Sequence, residues 1–129
     1  VKYSPMSRIE EGADGKPVAV VIDEPFDRAW RRVGVALDRG GFEVTDRDRT
    51  QGLFMINYLD PDYEQQKKSE QGFFANLFSN AEAVDPVPYR IRLTPDGETT
   101  RVTVTGEDGR ADTTGVAPRI LTLIGEQTR

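Results

Sequence analysis

The sequence predicts an α+β domain: a largely antiparallel sheet with two amphipathic helices packed on one of its faces. Three observations carry that expectation. Phe26, Ala29, Trp30, Val33 and Leu37 recur at helical spacing and stop at Gly40-Gly41. Two pairs of alternating segments, 42–45 with 53–59 and 89–93 with 101–105, each flank a polar connection, as antiparallel hairpins do. A second apolar stripe, Val116, Ala117, Ile120, Leu121 and Ile124, closes the chain. Elements with one apolar face each are stable only when those faces bury one another.

Taken in order, residues 1–16 mix Ser, Pro, Gly and charge without periodicity and read as a flexible N-terminal segment. Residues 17–129 form the domain, with an insertion at about 60–88. The run Val18, Ala19, Val20, Val21 and Ile22 is β-branched and apolar enough for a buried strand. Asp23 or Glu24 is placed to cap the helix that follows, and Pro25 has the φ its first turn requires. Arg28, Arg31, Arg32, Asp38 and Arg39 fill the other side of that helix. Gly40-Gly41 ends it, since glycine enters the left-handed conformation without a Cβ penalty.

Phe42-Glu43-Val44-Thr45 alternates as a half-buried strand. Residues 46–52, Asp-Arg-Asp-Arg-Thr-Gln-Gly, read as a long or bulged turn, and alternation resumes from Leu53 to Leu59. Polar residues and prolines then break the pattern until Pro88, around one apolar island. A connection that long in a compact domain is uncommon and is either functional or disordered. Tyr89-Arg90-Ile91-Arg92-Leu93 and Arg101-Val102-Thr103-Val104-Thr105 form a hairpin about Asp96-Gly97. After a polar loop, Thr113 or Thr114 is placed to cap the last helix, and Pro118 falls in its first turn, where proline is tolerated.

Composition narrows the function. With 129 residues the chain holds one domain and one core. Its 17 Lys and Arg against 22 Asp and Glu give a net charge of −5, which argues against nucleic-acid binding, a process driven by phosphate neutralisation. The arginines between 28 and 49 alternate with Asp27, Asp38, Asp46 and Asp48, so a solvated, self-neutralising surface is expected there. The sequence contains no histidine and no cysteine. It therefore lacks the usual general base, the usual metal ligands and any thiolate nucleophile, and neither a cofactor nor a metal is expected. No apolar run approaches the ~20 residues that span a bilayer. The start at Val1, without an initiator Met or signal peptide, suggests a mature segment or fragment.

At this point an ordered set of motifs becomes informative. Pro25-Phe26-Asp27-Arg28-Ala29-Trp30-Arg31-Arg32-Val33 and the stretch from Gly41-Phe42 through Asp46-Arg47-Asp48-Arg49-Thr50-Gln51-Gly52 are followed by Tyr58-Leu59-Asp60-Pro61. Gly72-Phe73-Phe74-Ala75-Asn76-Leu77-Phe78, Arg119-Ile120-Leu121 and Glu126-Gln127 complete the set. Together they resemble the BamC (NlpB) family of outer-membrane assembly lipoproteins, specifically its C-terminal domain, from about residue 18 to the end of the chain. The resemblance implies a helix-grip fold and a noncatalytic role among the subunits of the complex that inserts β-barrel proteins. It also implies attachment to the outer membrane through a lipid anchor upstream of this chain, on the periplasmic face or the cell surface. The family's lipobox cysteine, extended N-terminal segment and other grip domain are absent from these 129 residues.

Contact candidates follow from residue chemistry. Phe73, Phe74, Leu77 and Phe78 form a compact apolar patch if helical, suited to a partner or membrane contact when exposed and to core filling when folded back. Arg31 on the helix flank and Arg47 and Arg49 in the connection are candidate polar contacts. Asp46 and Asp48 have part of a calcium-loop spacing, but the required Gly and terminal Glu are missing. Trp30 belongs on the apolar helix face, with a groove for a small apolar ligand or peptide as the alternative. Enzymatic chemistry would need titratable groups converging in a cleft, and no such constellation is visible.

Overall fold

The computed structural model describes residues 6–58, 87–112 and 115–129. Six strands and two helices are present among them: β1 (Ser7–Glu11), β2 (Pro17–Ile22), α1 (Phe26–Arg39), β3 (Glu43–Asp48), β4 (Leu53–Tyr58), β5 (Val87–Asp96), β6 (Thr99–Gly106) and α2 (Val116–Thr128). The strands form one sheet in the order β1-β2-β6-β5-β4-β3, with every adjacent pair antiparallel.

Register explains why both helices share a face. Val20 pairs with Val102, Val102 with Leu93, Ile91 with Val104 and with Phe54, and Tyr89 with Ile56. Paired residues point the same way, so these side chains make one apolar surface. Against it α1 sets Ala29, Val33, Ala36 and Leu37, and α2 sets Ala117, Ile120, Leu121 and Ile124, all buried. The opposite face carries Arg8, Glu10, Met55, Arg90, Arg92, Arg101 and Thr103, with Arg101 and Glu10 paired at 3.1 Å. This is the α+β arrangement that the sequence predicts.

Residues 7–11 are not the loose segment expected of positions 1–16. They form an edge strand, joined to β2 in the register Arg8 to Val21 and Ile9 to Val20. Two contacts with α2 hold it. Gly125 lets the helix lie directly on Ile9, since a Cβ there would sit 2.9 Å from Ile9 Cγ1. Thr128 Oγ1 lies 2.8 Å from the buried Ser7 Oγ. Local composition carries no sign of a partner more than a hundred residues away.

The helix starts depart from expectation, whereas the Gly40-Gly41 stop of α1 is as expected. Pro25 itself occupies the position before α1, and no side chain caps that helix. At the other end Gly41, with φ 77°, completes a Schellman motif: Phe42 N–H donates to the Leu37 carbonyl (3.1 Å) and Gly41 N–H to the Asp38 carbonyl (3.3 Å). The cap of α2 comes from Asp112, whose Oδ2 accepts from the N–H groups of Val116 (3.0 Å) and Ala117 (2.9 Å). Thr113 and Thr114, the expected caps, lie outside the described residues.

In the first hairpin β3 runs on to Asp48, with a bulge between Val44 and Asp46, so only residues 49–52 turn. In the second, Asp96 pairs with Thr99 and the turn centres on Gly97-Glu98, one residue later than expected, with Gly97 at φ 62°.

Candidate functional site: an arginine groove along α1

The Phe26–Arg39 helix divides its length between two tasks. Residues 29, 33, 36 and 37 face the sheet, and Trp30 stacks on Phe54 with ring centroids 4.0 Å apart at 17°. Phe26 lies 5.8 Å from the same indole. Among the described residues Trp30 thus packs against the core beneath α1, where an apolar ligand would sit. On the outward side a groove of ≈ 640 Å³ runs along the helix, lined by Glu24, Asp27, Arg28, Arg31, Arg32, Val35, Arg39, Arg49 and Gln127.

Helical geometry gathers these residues. Arg28, Arg31, Arg32, Val35 and Arg39 follow at intervals of three, four, seven and eleven from Arg28, which is one stripe. Asp38, next to Arg39 in sequence, is turned away by about 100° around the axis. The expected self-neutralisation is therefore only partial. Arg32 pairs with Glu24, which is itself buried and whose backbone carbonyl accepts from Thr100 Oγ1 (3.0 Å). Arg49 pairs with Asp27 at 2.6 Å. Among the described residues Arg28, Arg31 and Arg39 have no ion pair, and Arg32 Nε is buried without an acceptor.

Arg49 reaches the groove because the turn at 49–52 is tightly built. Gly52, at φ 67°, sits where a Cβ would lie 2.4 Å from the Leu93 carbonyl oxygen, and the Leu93 N–H donates to the Gly52 carbonyl (2.7 Å). Asp48 Oδ1 accepts from Thr50 Oγ1 (2.5 Å) and from the Gln51 N–H (3.3 Å). The Thr50 hydroxyl, followed by the Gln51 amide, holds the Asp48 carboxyl below the usual aspartate range. Asp48 is thereby engaged in shaping the turn.

Of the residues singled out in the sequence, Arg31 and Arg49 line the groove together. Arg47 does not: it is exposed on β3, opposite Phe54 in register. Phe73, Phe74, Leu77 and Phe78 lie outside the described residues. Glu24, Val35 and Gln127 were not anticipated. The stripe from 28 to 39 was open to a helical-wheel reading, whereas the approach of Gln127 from α2 depends on tertiary packing.

The groove stands in a chain with clear relatives. Residues 9–127 match the family model described as the outer membrane protein assembly factor BamC-like C-terminal domain. The chain belongs to this family. An outer membrane protein assembly factor BamC of Accumulibacter regalis is 40% identical over 126 residues, covering 95% of this chain and 32% of that protein. The protein of the same name from Thiobacillus denitrificans is 41% identical over 111 residues, covering 84% of this chain and 30% of its own length. That of Escherichia coli K12 is 33% identical over 69 residues, covering 50% of this chain and 20% of its own length. The chain thus spans about a third of the length of the first two relatives.

Proposed function

We propose that this domain is a noncatalytic scaffold of the outer-membrane β-barrel assembly complex and contacts other subunits through the arginine groove of α1. Family membership supports the setting, because the relatives are named as outer membrane protein assembly factors. One observation carries the choice of surface: the groove brings five arginines together against two carboxylates on a chain whose net charge is −5. Arginine is the side chain best suited to interfaces, since its planar fork forms paired hydrogen bonds and is less strongly hydrated than an ammonium. In this reading the full-length protein is held at the outer membrane by a lipid anchor outside this chain, with the domain in the periplasm.

Photo-crosslinking tests the assignment. A benzophenone amino acid at position 31 of the full-length protein is expected to crosslink to another subunit of the complex, while the same probe at position 103, on the opposite sheet face, is not. Equal yields from both positions, or none from position 31, would remove the groove from the interface.

A further inference from the structure

We infer that the α1 groove binds an acidic peptide segment of a partner protein, one that carries an apolar residue between its carboxylates. The inference rests on the proposed interaction role and specifies its chemistry. Guanidinium groups hold carboxylates through paired, charge-assisted hydrogen bonds, and the donors here are only partly used. Arg28, Arg31 and Arg39 have no ion pair among the described residues, whereas Arg32 is engaged by the buried Glu24. Among the described residues Arg49 is held by Asp27 alone, in a pair whose side chains are 59% and 80% exposed, so exchange for an incoming carboxylate costs little.

The spacing favours a peptide over a point-like anion. From Arg28 to Arg39 the helix rises by about 16 Å at ~1.5 Å per residue, matching about five extended residues or three helical turns. A single phosphate needs donors that converge on one point; these are strung along a line. Val35, 44% exposed, lies between Arg32 and Arg39 on that line. An apolar contact there serves a peptide side chain and offers nothing to a phosphate group. A flat anionic membrane is the poorer occupant, because the site is concave and the whole chain is negatively charged.

Fluorescence anisotropy with the 129-residue chain tests this. The probe is a labelled alanine-based peptide with three glutamates flanking one leucine; its twin has glutamine in place of glutamate. The acidic peptide is expected to bind, weakening as salt rises, and the twin to bind at least about tenfold more weakly. Arg28→Ala, Arg31→Ala and Arg39→Ala each lower affinity about fivefold or more, and Val35→Ala lowers it by a smaller factor. Unchanged melting curves show that these variants are folded. Equal binding of the twin, indifference to the arginine variants, or absence of binding overturns the inference. So does binding of inorganic phosphate or phosphatidylglycerol vesicles without the peptide. Crosslinks from position 31 without peptide binding would leave the contact face standing and remove its acidic specificity. Peptide binding without crosslinks would do the reverse.

Discussion

The two helices lie on the same sheet face but divide the work differently. The Val116–Thr128 helix buries six residues, Ala117, Ile120, Leu121, Ile124, Gly125 and Thr128, and shows few charges. The Phe26–Arg39 helix buries four, two of them alanines, and carries arginines along the rest of its circumference. Burial per residue is therefore concentrated in α2 and charge in α1. The first helix needs only a narrow apolar stripe to stay docked, because Trp30 and Phe26 add aromatic packing at its flank. That leaves a broad outer surface free for binding. On the proposed function, stability and recognition fall on different helices, which makes the comparison testable.

The sharpest break comes from core truncation. Ile120 is fully buried in α2, so Ile120→Ala is expected to cost about 2–5 kcal/mol by loss of apolar burial and creation of a cavity. Arg31→Ala on exposed α1 surface is expected to stay within about 0.5 kcal/mol. Urea denaturation of the two variants checks the contrast. Comparable losses would show that the outer face of α1 also supports the fold.

The turn that delivers Arg49 to α1 gives the next largest effect. Gly52→Ala places a side chain in the left-handed region and against the Leu93 carbonyl, with Phe26 Cε2 also 3.4 Å away. A loss of about 2–4 kcal/mol is expected. Gly41→Ala offers a control: φ is 77° there, but nothing lies within 4 Å of the added Cβ, so only the conformational cost of about 1–2 kcal/mol applies. Thermal melts that rank the two equally would remove the steric part of the argument.

These cases also show what the sequence reveals. The α1 stripe and its Gly-Gly stop were legible because periodicity and backbone permission are local properties. The same holds for the β3–β4 and β5–β6 hairpins. The edge strand 7–11 was not, since only Ile9 and Ser7 mark it and both are held by α2 from the far end of the chain. Residues 46–48 read as turn because Asp and Arg dominate them, but on an exposed sheet edge charged side chains are compatible with strand and guard against further pairing. The candidate site was half legible. Helical spacing gathers Arg28, Arg31, Arg32 and Arg39; only the folded turn adds Arg49, and only packing of α2 adds Gln127.

Capping separates the helices more finely. Asp112→Ala removes the acceptor for two N–H groups at the start of α2 and is expected to cost about 0.5–2 kcal/mol. Asp23→Ala, at an exposed residue before the uncapped start of α1, is expected to change stability by less than about 0.5 kcal/mol. Hydrogen exchange at Val116 and Ala117 should rise in the first variant, and exchange at Arg28 and Ala29 should stay constant in the second. A loss at Asp23 matching that at Asp112 would mean that α1 draws on a cap after all.

The smallest effect concerns pH and the turn beside α1. The Thr50 hydroxyl, and then the Gln51 amide, lower the Asp48 carboxyl relative to an ordinary aspartate. A group depressed on folding contributes stability above its unfolded pKa, and that contribution is lost as pH falls through the folded value. The window is therefore acidic, below the ordinary aspartate range, and nothing changes near neutrality. Thr50→Val removes the first of these hydrogen bonds, so NMR titration should show the Asp48 carboxyl moving upward while Arg49 keeps its place beside Asp27. Binding of the acidic peptide at neutral pH should be unaltered, because Asp48 is ionised there in both forms. If the titration stays where it was in Thr50→Val, the hydroxyl is not the cause; if peptide binding falls, the Asp48–Thr50 contact is needed to position Arg49, and the turn belongs to the recognition surface of α1 as well as to the sheet.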